Sequence, residues 1–113
     1  KFDENKNNVF KVLEKEEFSM FFSENSKAEV PIVGKIENEI ISGQIDRLIV
    51  NEDKVIILDY KNTKKMPENL NDIPKNYVKQ LELYKKLIEQ IYNNKTVECY
   101  ILWTSFCEVS KIF

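Results

Sequence analysis

Gly43-Gln44-Ile45-Asp46-Arg47-Leu48-Ile49-Val50, then a polar Asn51-Glu52-Asp53, then Lys54-Val55-Ile56-Ile57-Leu58-Asp59-Tyr60-Lys61 read as two strands joined by a turn. Both strands are rich in β-branched residues, yet Asp46, Asp59 and Lys61 fall inside them. An unpaired charge is costly to bury, so such positions hold a pair, a metal or a reaction. If Glu52 and Asp53 form a two-residue turn, Asn51 faces Lys54, and counting back sets Asp46 opposite Asp59. Directly opposed residues share a face, with Cβ atoms about 4.5–5.5 Å apart. Two carboxylates that close repel unless one is protonated or a cation bridges them, and oxygen ligands suit Mg²⁺ or Mn²⁺. Glu-Asp is not a favoured two-residue turn, and a three-residue turn would shift the pairing by one.

Strand alternation puts Lys61 on the same face as Asp59. Tyr60 points the other way, leaving its backbone carbonyl as a further metal ligand. Val55 and Ile57 lie on one face and Ile56 and Leu58 on the other, the pattern of a central, covered strand. There Lys61 can orient a water or stabilise charge building on a phosphate. In the plainer alternative, Lys61 pairs with a carboxylate on a surface hairpin. The Asp-x-Lys spacing leaves both readings open.

Upstream, Val9, Val12, Leu13, Phe18, Phe21 and Phe22 recur at helical spacing and predict a helix over 7–23. A strand is expected over 29–36, reversing at Glu37-Asn38 into the strand that ends at Val50. Downstream, 62–73 reads as a polar loop longer than most connections. An amphipathic helix follows within 74–93, with Tyr77, Leu81, Tyr84, Ile88 and Ile91 on one stripe. Gln80 and Tyr84 share a helix face. By pattern Tyr84 is core, whereas Gln80 is a half-buried amide in need of a partner, either a backbone group or a phosphate or metal-bound water. A strand over 97–103 and a short edge strand over 109–113 close the chain. The plan is α+β around a mixed sheet: helix, three-stranded antiparallel meander, helix, then one or two strands.

At 113 residues the chain suits a single domain (helical lead-in 1–26, strands 27–61, helix 74–93, closing strands 96–113). It is 42% hydrophobic and 32% charged, with no run long enough to span a bilayer and no signal-peptide pattern, so a cytoplasmic location and no membrane partner are expected. A net charge of -2 argues against a generic nucleic-acid coat, but a local basic patch could still meet phosphates. Arg47 is the sole arginine. With no histidine and no CxxC, Cys99 and Cys107 make a poor zinc or redox site and read as small, partly buried side chains.

Glu29-Val30-Pro31-Ile32, Gly43-Gln44-Ile45-Asp46-Arg47-Leu48, Leu58-Asp59-Tyr60-Lys61 and Gln80-Leu81-Glu82-Leu83-Tyr84 occur in the order and spacing of the RecB-type nucleases. In these motifs the chain resembles that family of the PD-(D/E)xK superfamily. The segment 97–104, ending Ile-Leu-Trp-Thr, is similar to the end of the AddA type of helicase–nuclease, closest to the alphaproteobacterial variety. The resemblance implies a restriction-endonuclease-like core, with Asp46 and Asp59 binding Mg²⁺ and Lys61 as the catalytic lysine. Gln80 and Tyr84 would complete the site and approach the DNA backbone. Glu29 matches a recurrent position, with a salt bridge as the alternative. Arg47, Lys64 and Lys65 are candidate DNA contacts, against a structural role for Arg47 and a solvated loop for the lysines.

The implied activity is a Mg²⁺-dependent exonuclease serving double-strand-break repair. An AddB-type protein would be its partner, and ATP would be used only by a parent helicase. The alternatives are a stand-alone endonuclease and an inactive DNA-binding module. RecB-type nucleases also carry a metal-binding histidine on an upstream helix, which this chain lacks, and it has no Walker A motif. The expectation is therefore an excised C-terminal piece, weak or inactive alone, with a true variant as the alternative. The cysteines do not match the iron–sulphur set of the AddB type.

Overall fold

The computed structural model describes residues 10–12 and 25–113. Six strands form one mixed sheet: β1 (Phe10–Val12), β2 (Ser26–Ile36), β3 (Glu39–Val50), β4 (Lys54–Lys61), β5 (Thr96–Trp103) and β6 (Glu108–Lys111). Their spatial order is β1-β6-β5-β4-β3-β2. β2, β3 and β4 make the expected antiparallel meander, whereas β4 and β5 are parallel. Parallel neighbours need a crossover, and α1 (Lys75–Ile91) supplies it.

Phe10–Val12 pairs with β6 as a strand, which corrects the helix expected there. Phe10-Lys11-Val12 alternates with the period of a strand, a signal too short to outweigh the helical spacing around it. The rest of the expected 7–23 helix lies outside the described residues. Because β1 pairs with it, β6 is an inner strand and not the edge.

The two hairpin turns use different physics. Glu37 and Asn38 both have positive φ (50° and 69°), the conformation a type I′ turn requires and one Asn tolerates well. Glu52 and Asp53 do not. Their turn is held from outside: Lys95 Nζ donates to the carbonyls of Asn51 (2.5 Å) and Glu52 (2.8 Å), and Thr96 N donates to Asp53 O (3.0 Å). Asn51 N reaches Lys54 O at 2.8 Å, so the turn has two residues and the β3–β4 register sets Arg47 against Leu58. An unfavourable turn sequence thus keeps the register that aligns Asp46 with Asp59.

α1 covers one sheet face, where Ile45, Val55, Ile57, Leu81, Leu87 and Ile101 are almost fully buried. Burial of each such side chain contributes roughly 1.5–3 kcal/mol. Ile91 falls off the expected stripe at 62% exposed, and Leu87 is buried in its stead, against Gly34. On the opposite face, Ile49, Ile56, Leu58, Leu102 and Val109 form a smaller cluster. β4 is central, with its five residues from Val55 to Asp59 all buried.

Candidate active site

The strands part where the acids begin. The paired β3–β4 ladder ends at Arg47 and Leu58. Had it continued, Tyr60 N would face the Ile45 carbonyl; instead it donates to Asp46 Oδ2 at 2.8 Å. On the other side of β3, the β2 ladder skips Glu29 and Asp46 between Ala28–Arg47 and Val30–Ile45. Glu29 there has φ 53°, a left-handed conformation costing a non-glycine residue about 1–2 kcal/mol. The break changes the phase of β3, so that Ile45 and Leu48, three apart, both join the helix-side core. Asp46 sits at the change of phase and is turned toward Asp59.

Asp59, Lys61 and Asp46 converge, but Asp46 and Asp59 are not the directly opposed ladder pair expected, since the ladder stops one pair short of them. Lys61 Nζ lies 3.0 Å from Asp59 Oδ2, and Asp46 is close enough to interact with the same carboxyl. Burial pushes the Asp59 carboxyl up from its ordinary 3.8 to about 6; Asp46 pushes the same way, while Lys61 pulls it down. Apart from the Lys61 ion pair, the buried Oδ2 has no hydrogen-bond partner. Lys61 Nζ also stands 4.4 Å above the centre of the Tyr77 ring, a cation–π contact. Sequence reading missed this role for Tyr77, which it placed only on the apolar stripe of the helix.

Two adjacent carboxylates, one with an orphaned oxygen, fit a hard divalent cation, with the Tyr60 carbonyl as a further oxygen candidate. Among the described residues no group of three His, Cys, Asp or Glu side chains gathers to hold a metal. Two carboxylates with a nearby backbone oxygen would be hard ligands, of the kind that divalent cations such as Mg²⁺ take.

The helix residues are divided. Tyr84 is buried, and its ring presses on Gly43: an added Cβ there would stand 2.9 Å from two ring carbons. Glycine is needed at 43 for space and not for its backbone angle, since no glycine here has positive φ. Gln80 is exposed, not half-buried as its place beside the stripe suggests. It lines a cleft of about 290 Å³ with Ser42, Asn76, Lys79 and Tyr84.

Arg47 points to the opposite face, donating from Nε to Tyr60 Oη (2.9 Å) and from Nη1 to Ser26 Oγ (2.7 Å). These bonds give it a structural place. Glu29, Lys64 and Lys65 are exposed. Cys99 is buried, its thiol pushed up to about 12 by burial, while Cys107 is exposed.

Residues 2–104 match the model of the PD-(D/E)XK nuclease superfamily. The chain belongs to that superfamily. Its relatives include one subunit of the ATP-dependent helicase/nuclease of Clostridium acetobutylicum, 34% identical over 65% of this chain and 6% of that protein. The corresponding protein of Thermoanaerobacter sp. is 34% identical over 73% of this chain and 8% of that protein. That of Carboxydothermus hydrogenoformans is 35% identical over 60% of this chain and 6% of that protein. None of these three is alphaproteobacterial, so the likeness expected from 97–104 gains no support at that level. The chain spans less than a tenth of the length of each of these relatives. As a PD-(D/E)XK nuclease domain it has the expected mixed α+β core, and among the described residues no helix is long and apolar enough to cross a membrane.

The raised Asp59 pKa makes stability depend on pH with an unusual sign. The folded chain holds this proton more tightly than the unfolded chain. Its contribution is therefore fully present below about pH 4 and is lost as pH rises through about 6, a change of order 2–3 kcal/mol without metal. Glu98 acts in the opposite sense: burial raises it, but the Tyr100 hydroxyl, Lys54 and Lys111 outweigh burial and hold it below 4.5. Its stabilisation is lost as pH falls. Denaturant titrations of the metal-free domain should show stability falling between about pH 4.5 and 6.5, and Asp59→Asn should flatten that slope. An identical slope in the variant would refute the assignment.

Proposed function

We propose that this domain is the Mg²⁺-dependent exonuclease module of an ATP-dependent helicase–nuclease for double-strand-break repair, hydrolysing phosphodiester bonds of the unwound DNA strand. The observation that carries this reading is the buried Asp59 carboxylate, its Oδ2 met only by the Lys61 ammonium, set between Asp46 and Lys61. Asp46, Asp59 and the Tyr60 carbonyl would hold the cation, with Mn²⁺ as a substitute, and once bound it supplies activation of the attacking water and polarisation of the phosphate. Lys61 stabilises the negative charge that builds on the phosphoryl oxygens during in-line displacement. Tyr77 holds the Lys61 ammonium against its ring. Tyr84, seated on Gly43, and Gln80, exposed in the adjoining cleft, approach the DNA backbone. Lys64 and Lys65 add phosphate contacts, whereas Arg47 is structural. The parent protein would work in the cytoplasm with an AddB-type partner, and its helicase part would use the ATP.

The test is digestion of linear and covalently closed circular DNA by the full-length protein that carries this domain, with ATP and Mg²⁺. Progressive loss of linear DNA, arrested by chelation, with circles left intact, is expected. Equal cutting of circles would make the domain an endonuclease. Absence of hydrolysis with either Mg²⁺ or Mn²⁺ would leave a DNA-binding module and end the enzyme reading.

A further inference from the structure

The loop 62–74 is long for a connection, yet it is anchored. Ile73 is 3% exposed in the helix-side core, Leu70–Asp72 forms a 3₁₀ turn capped by Asn69, and Thr63 Oγ1 donates to the Lys65 carbonyl at 3.1 Å. Its first residue, Asn62, accepts a hydrogen bond from Ser105. Between this loop and the start of α1 lies a preformed cavity of about 390 Å³, within the range of small-ligand pockets.

We propose that this cavity is a nucleobase subsite, which takes the base of a nucleotide adjoining the phosphate held at Asp59 and Lys61. The inference rests on the nuclease reading above and adds how the strand is held. Position is the first argument. Tyr77 carries the Lys61 ammonium against its ring and also lines the cavity, and Trp103, the β5 partner of Lys61, lines it too. The cavity therefore begins where the phosphate-handling lysine ends, one side chain away.

Chemistry is the second argument. Met66, Pro67 and Pro74 offer apolar surface, and Tyr77 an aromatic ring of the kind on which any base can stack. Glu68 and Asp72 stand on the same lining. Their carboxylates repel a phosphate but accept hydrogen bonds from the exocyclic amino groups of bases. Lys65 supplies a cation for the backbone outside. The occupant matched by this lining is a base and not a phosphate.

The experiment is single-turnover cleavage of a labelled single strand by the full-length protein, with one abasic residue moved stepwise through the positions around the cleaved bond. A loss on the order of tenfold at one register, with little change elsewhere, is expected. Met66→Trp, which fills the cavity, should slow cleavage of the intact strand by a similar factor while leaving the abasic strand unaffected. Cleavage indifferent to the abasic position, or a loss spread evenly over many positions, overturns the subsite and leaves the nuclease reading standing. Failure to cleave any strand overturns the nuclease reading and the subsite with it. The abasic series needs no variant, so a Met66→Trp protein that fails to fold does not spoil the test.

Discussion

If the domain works as proposed, Asp59→Asn and Lys61→Ala should each lower divalent-metal-dependent DNA cleavage by the full-length protein by at least about 10²–10³-fold, while any ATP-driven unwinding persists. The two variants separate by mechanism. Asp59→Asn loses Mn²⁺ binding in calorimetric titration, because the ligand with the orphaned oxygen is gone. Lys61→Ala should keep Mn²⁺ binding and lose turnover, since the role proposed for the lysine is on the phosphate. Stability moves the other way from activity. Near neutral pH the ionised Asp59 is held in a site that favours its protonated form, so Asn at 59 should leave the metal-free fold as stable as before, or more stable. A residue kept for an ion pair would instead weaken the fold when removed. Retained cleavage in either variant would sink the assignment.

Gly43→Ala has the second large effect, and it acts through Tyr84. The new Cβ would stand 2.9 Å from Tyr84 Cε1 and Cζ, so a buried ring must move or the helix must lift from β3. Overpacking of this kind costs about 1–3 kcal/mol, measurable by denaturant titration. On the proposed function cleavage should fall with it, since that reading sets Tyr84 on the face that approaches the DNA backbone. Tyr84→Phe removes the hydroxyl that lies closest to the new methyl group. In the double variant stability should recover in part, giving a coupling energy of at least about 0.5 kcal/mol. Additive losses in the cycle would show that the glycine serves some other neighbour.

These two cases mark how far the chain could be read in advance. Asp59 and Lys61 share a face because strand alternation is local, and no distant residue can change it. The register that brings Asp46 near them was legible on the assumption of a two-residue turn at Glu52-Asp53, but not that the ladder stops one pair short of Asp46 and Asp59. That turn is unfavourable by its own chemistry, and Lys95, more than forty residues away, is what holds it. Tyr84 and Gly43 each stood out alone in the sequence, but nothing there joined them. The helix stripe was legible too, except that Leu87 replaces Ile91, because Gly34 leaves room for it.

By itself, then, the sequence determined the strand and helix periods, the acid-x-lysine face and the family signature. Only the tertiary structure decided that Phe10–Val12 joins the sheet, that the ladder breaks at Glu29 and Asp46, and that Lys61 rests on Tyr77. The physical reason is range. Periodicity is set by neighbours in the chain, whereas pairing partners, burial and charge environment depend on which elements close upon one another across long loops.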